Sequence, residues 1–352
     1  MKILLISPIP PPVGGIASWT KSYLNSEGIK EQEVDIVNTS VVGKRKYNAT
    51  YNMFDELKRL RKIIENINNN VCGNSYDIAH INTSCGSLGL IKDILCAIKI
   101  KKRMKVVLQC HCNVPDFVKG KFSKFLFNIL ISSSNKVIVL NESSKKFVWE
   151  NFGKESVIVP NFIESKHILT KITNEEDDSK IETITFSGRI SIEKGCDTIY
   201  EVAKKFPDKT FNLIGNPNCG LENLPAPQNV NLLGVLEKES VLEHLSNSDM
   251  FLFPTHTEGF PCSVLEAMAK GLPIISTRVG AIGDMIEHKG GFLVPIGDVE
   301  LICKYIDDLD NDTLLRKNIG AWNIKKVQEY YSDNVVINKL IDIYKGVIHE
   351  GA

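Results

Sequence analysis

At 352 residues and 43% apolar content, the chain has the length for two compact domains with sizeable cores. Lys+Arg and Asp+Glu both total 42, so the whole is neutral and no nucleic-acid partner is expected. The halves differ: residues 1–160 hold 23 basic against 13 acidic side chains (+10), and the remainder 19 against 29 (−10). A basic first half points to an anionic surface met on that side. Nine cysteines without a C-x2-C pair suggest a reducing compartment, and Cys110-His111-Cys112 has no second cluster to complete a tetrahedral metal site. The opening MKILLISPIP is too short for a signal peptide, and no apolar run is long enough to span a bilayer. A cytoplasmic protein is expected.

In chain order, Lys2–Ser7 reads as a buried strand and Ile16–Leu24 as a helix. Between them Gly14-Gly15 forms a strand-to-helix turn where backbone amides can approach a phosphate, or else a plain turn. It is not G-x-G-x-x-G, which disfavours a nicotinamide or flavin site. Strands follow at Val34–Asn38, Asp77–Asn82, Lys105–Cys110, Lys136–Leu140 and Val157–Val159, with helices at Phe54–Ile67, Leu88–Ile100 and Ser143–Asn151. His80 lies within a strand and reads as structural. Two basic runs, Lys99–Lys105 and Lys119–Lys124, sit beside Phe117, Phe122, Phe125 and Phe127. Cations and aromatics at helical spacing suit an anionic membrane surface, or a solvated face over core phenylalanines.

The domain boundary is placed near Pro160, giving domains at 1–160 and 161–333, after which Lys171–Glu182 is an acidic, polar excursion. Thr183–Ser187, Phe211–Gly215, Val230–Gly234, Met250–Phe253, Leu272–Ser276 and Phe292–Pro295 read as the strands of a second parallel sheet. Arg189 and Lys194 follow the first of these and offer one planar and one point cation for a diphosphate. Asp177-Asp178 and Asp308–Asp310 are discounted as a metal clamp because both lie in polar surface stretches. After Met250–Phe253 comes a polar loop, then Pro261 at a helix start and Gly271 at its end. Glu258 and Glu266 bracket that helix start, and its helical part spans roughly 8 Å at about 1.5 Å per residue. An anion-attracting helix N-terminus between two hydroxyl acceptors suits a sugar, a diphosphate and a ribose in that order. Taken alone, the pair could equally be a solvated loop residue and an ordinary helix glutamate.

Glu258-Gly259-Phe260-Pro261 through Glu266, with Ala267-Met268-Ala269 and Gly271-Leu272-Pro273, resembles the E-x7-E signature of retaining glycosyltransferases of family 4. Gly188-Arg189 with Lys194-Gly195 resembles that family's G-R-x4-K-G, and Val159-Pro160-Asn161 its interdomain segment. The resemblance implies an α/β GT-B fold: two Rossmann-like domains facing across a cleft, the final helix near 334–349 crossing back to the first. It implies a metal-independent, cofactor-free enzyme that takes a UDP- or GDP-sugar and glycosylates a glycan or lipid-linked acceptor. Gly15 would close over the diphosphate, His111 would meet the donor sugar or leaving phosphate, and Glu258 would hold the sugar. Leu236 would meet the base, Glu266 the ribose, and Phe260, Cys262 and Val264 would line the donor. Glu258 and Glu266 lie too far apart for the carboxyl pair of a retaining glycosidase, so front-side attack without a glutamyl intermediate is expected. A sugar-nucleotide epimerase of the same fold and a non-catalytic nucleotide-sugar binding module are the rivals.

Overall fold

A computed structural model describes residues 1–11, 14–40, 53–170, 180–217, 221 and 224–350. The polar stretch at 43–52 and the run containing Asp177 and Asp178 lie outside them. The chain divides into two units, Met1–Asn161 with Asp333–Ala352, and Phe162–Ser332.

The first unit alternates strand and helix: β1 (Lys2–Ser7), α1 (Gly15–Asn25), α2 (Glu27–Lys30), β2 (Glu33–Asn38), α3 (Met53–Val71), β3 (Ile78–Thr83), α4 (Ser87–Ile100) and β4 (Lys105–Cys110). It continues through α5 (Val114–Phe117), α6 (Lys121–Ser132), β5 (Lys136–Val139), α7 (Glu142–Phe152) and β6 (Ser156–Ile158). The strands form a parallel sheet in the order β2-β1-β3-β4-β5-β6. β3 is buried at every position, because helices cover both faces of a parallel sheet. The order reverses between β1 and β3, and such a switch point opens a crevice at the carboxyl ends of the strands.

The second unit repeats the plan: β7 (Thr183–Ser187), α8 (Cys196–Lys205), β8 (Thr210–Ile214), β9 (Val230–Gly234), α9 (Lys238–Ser246), β10 (Met250–Phe253) and α10 (Cys262–Ala269). Then come β11 (Ile274–Thr277), α11 (Ile282–Ile286), β12 (Gly291–Val294), α12 (Val299–Asn311) and α13 (Thr313–Tyr330). Its sheet order is β12-β11-β10-β7-β8-β9, again parallel, with the reversal between β7 and β10. The central strands are held by aromatic packing, Phe186 on Phe253 at 5.5 Å and Phe251 on Phe253 at 5.7 Å. Gly271 ends α10 in the left-handed region at φ +71, where Gly271 N donates to Met268 O.

The last helix, α14 (Asp333–His349), belongs to the first unit. It buries Val336, Ile337, Leu340 and Tyr344, and the Tyr344 hydroxyl reaches His80 Nδ1 at 2.6 Å. His80 is therefore a core residue that ties α14 to β3.

Candidate active site

In the second unit the candidate residues gather at the switch point, because β7 and β10 are neighbours and each leads into a loop at its carboxyl end. Arg189 and Lys194 follow β7; Glu258 follows β10. Lys194 Nζ lies 2.7 Å from Glu258 Oε1 and donates to Thr257 O at 2.8 Å. Both side chains of this ion pair are nearly buried, 11% and 16% exposed. Burial pushes the Glu258 carboxyl above the usual carboxylate range; Lys194, and beyond it Arg189, pull it back down. Arg189 is half exposed, with Glu193 Oε2 at 3.7 Å from its guanidinium. The sequence reading gave Lys194 and Glu258 separate partners; here each is the other's.

Glycines make this approach possible. Gly195 sits at φ +74, and a Cβ there would fall 2.0 Å from Pro254 O, so only glycine lets the Lys194 turn lie against the Glu258 loop. Gly280, which the sequence reading missed, is equally tight: at φ +56 its Cβ would meet Glu258 O at 2.2 Å. Its signal is its place just past β11, ahead of α11.

Glu266 lies in the second turn of α10. Burial raises its carboxyl above the ordinary range, opposed by Lys238 at the start of α9. Leu236 is half-buried in the β9–α9 connection, two residues before that lysine. Pro261 is the N-cap of α10, and no side chain caps its first amides. Cys262 is partly exposed; Val264 is fully buried and Phe260 is buried against Tyr331, ring centres 5.3 Å apart. Val264 could thus meet a ligand only through its backbone amide.

In the first unit, Gly14 and Gly15 begin α1, and a Cβ on either would meet nothing within 4 Å. The fold itself does not require these glycines. Gly14 and Gly15 line a cavity of about 790 Å³ at the β1–β3 switch point, together with Asn82, Arg59, Lys92 and Leu88. A trough of about 480 Å³ between α3 and α4 shares Leu57 and Leu60 with that cavity and adds Leu95 and Ile98. His111 follows β4. Its Nε2 lies 2.9 Å from Asn82 Oδ1, and Trp19 packs edge-on at 4.9 Å. Burial first, and His80 second, lower its pKa to about 3, so the ring is neutral.

Asp310 is a structural acceptor: it takes the Ile181 amide at 2.7 Å and pairs with Lys209 at 3.2 Å. Of the phenylalanines near the basic runs, Phe117, Phe122 and Phe125 are exposed, whereas Phe127 is core. Among the described residues, no helix is long and apolar enough to cross a membrane.

Residues 169–326 match the family model for glycosyl transferases group 1. The capsular polysaccharide biosynthesis glycosyltransferase CapM of Staphylococcus aureus is 28% identical over 261 residues, 67% of this chain and 68% of that protein. The sucrose-phosphate synthase of Thermosynechococcus elongatus superposes with a TM-score of 0.82 at 14% identity, covering 99% of this chain and all of that one. Anabaena HepE, solved with UDP and glucose, gives 0.74 at 16% identity over 98% of this chain and all of that one. The structural likeness carries the fold, which is GT-B. The family match and the named relatives carry the class, a glycosyltransferase.

Proposed function

We propose that this is a retaining, metal-independent glycosyltransferase of family 4 that uses a nucleoside-diphosphate sugar to extend a glycan or lipid-linked acceptor in surface-polysaccharide synthesis. The observation that carries the reading is the meeting of Arg189, Lys194 and Glu258 at the β7–β10 switch point, one α10 helix start from Glu266.

Loosening a sugar–phosphate bond builds negative charge on the departing diphosphate. Preorganised cations in a water-poor site stabilise that charge most effectively. Arg189 is half free for this work, while Lys194 is held by Glu258 until a ligand competes for it. Diphosphate then takes the ammonium, and Glu258 turns its carboxylate to sugar hydroxyls. The pair supplies both halves of the recognition when a donor arrives: a cation for the diphosphate and a carboxylate for the sugar. Glu266 is assigned to the ribose, Leu236 to the base, and the amides at Cys262 and Val264 to phosphate oxygens. Gly15 and His111 are assigned to the donor's diphosphate and sugar. The acceptor's proton passes to the leaving phosphate, with attack from the face the diphosphate vacates.

The first unit's cavity and its apolar trough suit an acceptor with a polar head and a hydrocarbon tail. Leu88, Ile91, Leu95 and Ile98 leave an exposed stripe along α4 beside Lys99, Lys101 and Lys102. That stripe supports work at an anionic, cytoplasmic membrane face.

The test is to incubate the protein with UDP- and GDP-sugars in excess EDTA, follow nucleoside-diphosphate release, and determine the anomeric configuration of any product. Retention with activity independent of metal is expected. Complete loss on chelation, restored by a divalent ion, or inversion at the anomeric carbon would overturn the mechanism.

A further inference from the structure

The environment of His111 determines which of its ring nitrogens carries the proton. Thr20 Oγ1 lies 2.8 Å from the Ile16 carbonyl, which can only accept, so the single hydroxyl hydrogen of Thr20 is committed there. Ser7 Oγ lies 2.6 Å from Thr20 Oγ1 and must therefore donate to it. With its own hydrogen used, Ser7 can only accept from Asn82, whose amide nitrogen is at 2.9 Å. The amide orientation follows, and Asn82 Oδ1 faces His111 Nε2 at 2.9 Å. Ser7, Thr20 and Asn82 are all fully buried, so no bulk water relaxes the sequence of donors. Flipping the amide would oppose its oxygen to a Ser7 lone pair, a buried mismatch that costs about 1–3 kcal/mol.

We infer that Thr20, Ser7 and Asn82 form a directional relay that fixes His111 as the Nε2–H tautomer and leaves Nδ1 as a lone-pair acceptor. The backbone at His111 is pinned by its amide, which donates to Thr83 O at 2.8 Å, and Trp19 closes one side of the ring. The titratable groups facing this layer are His80 on β3, Tyr23 on α1 and Tyr344 on α14; Burial keeps the histidine neutral and raises both phenols. The consequence rests on the donor-sugar reading of His111. A neutral ring presenting only Nδ1 accepts a hydrogen bond from a sugar hydroxyl and has no proton to offer a phosphate oxygen. His111 then selects for a hydroxyl at the matching position of the donor, and the leaving-group role falls to Arg189 and Lys194. Asn82, Ser7 and Thr20 are positioning residues that act through the imidazole.

Long-range proton–nitrogen NMR on the full-length protein labelled at histidine reads the tautomer directly, with His111→Gln identifying the resonance among the seven histidines. The expected result is a single protonated nitrogen, Nε2, unchanged from pH 5 to 8. An Nδ1–H ring, or fast averaging between the two forms, would overturn the relay. Thr20→Val frees the Ser7 hydroxyl and is expected to yield a tautomer mixture, with donor turnover falling in proportion to the Nδ1–H share, about twofold for an even mixture. Asn82→Asp places a carboxylate on Nε2–H and is expected to bring His111 titration up into the range above pH 5. If these variants fail to fold, the wild-type spectrum still decides. An Nε2–H ring in a protein that releases no nucleoside diphosphate would leave the relay standing and remove the proposed function.

Discussion

Replacing Lys194 by alanine removes the cation on which Glu258 depends, and the structure sets how large the effect is. The side chains are 11% and 16% exposed, so the carboxylate left behind is poorly hydrated. Such groups do not stay charged at any cost; they take up a proton. From an ordinary value of 4.5, protonation at pH 7 costs about 3.4 kcal/mol, which caps the loss of stability. Removing one partner of a buried pair without that escape costs about 3–5 kcal/mol. The loss of turnover has a separate origin, the missing charge at the diphosphate, and is expected to reach about 10²–10³-fold. The sign of the pH dependence follows from the same pair. Burial already raises the Glu258 carboxyl, and losing Lys194 raises it further, so if the carboxylate is the working form, the acid limb of the pH–rate profile moves to higher pH. Thermal unfolding, circular dichroism and donor turnover between pH 5 and 9 separate the two effects. A folded Lys194→Ala protein with near-normal turnover, or an unmoved acid limb, would refute the assignment.

Gly280→Ala is expected to lower both stability and activity, because φ +56 and a 2.2 Å clash with Glu258 O leave no room. Gly15→Ala should keep the melting temperature within about a degree, since nothing lies within 4 Å, while donor turnover falls if phosphate approaches that turn. His80 and His111 both have folded pKa values lowered to about 3 by burial. The unfolded chain therefore binds more protons below about pH 6.5, and stability contributed by the neutral rings is present above that pH. Denaturant titrations should show it falling toward pH 3 by up to about 1.4 kcal/mol per pH unit for each ring. Lys101→Glu with Lys102→Glu should weaken salt-sensitive binding to anionic liposomes while donor hydrolysis persists; an unaltered protein that ignores such liposomes at low salt would leave the basic face as merely solvated.

The parallel sheets were legible because their strands are continuous apolar runs; Lys105–Cys110 and Met250–Phe253 were bounded to the residue. Helix ends were less so: α3 extends to Val71, four residues past the expected Ile67, through an Asn-rich turn that apolar periodicity does not register. At the site, the types and spacing of Arg189, Lys194, Glu258 and Glu266 could be read from the chain. The contact between Lys194 and Glu258 could not, because 64 residues separate them and only the adjacency of β7 and β10 brings them together. Gly280 shows in the chain only as a glycine past β11; its close approach to Glu258 depends on β10 and β11 being neighbours. Periodicity leaves open which phenylalanines are core: Phe122 and Phe125 are exposed and Phe127 faces the core, since the run at 122, 125 and 127 crosses from one side of α6 to the other. The relay through Thr20, Ser7 and Asn82 spans three elements and has no signature in any one of them.

The placement of α14 has a consequence for synthesis on the ribosome. Tyr344 supplies the hydroxyl at His80, and Ile337 and Ile341 come against the Gly28 turn. All three arrive only after residues 162–332 have been made. At about 5–20 residues per second, that interval is roughly 10–35 s. During it the nascent first unit has its sheet but not the helix that seals Tyr23 and Ile29 from water. The second unit has no such wait: its entry and exit are already joined by the bridge between Ile163 and Ser332. The segment translated later is thus the one able to mature first. The uncovered face of the earlier one is where a chaperone would bind, and loss of α14 would leave that face exposed.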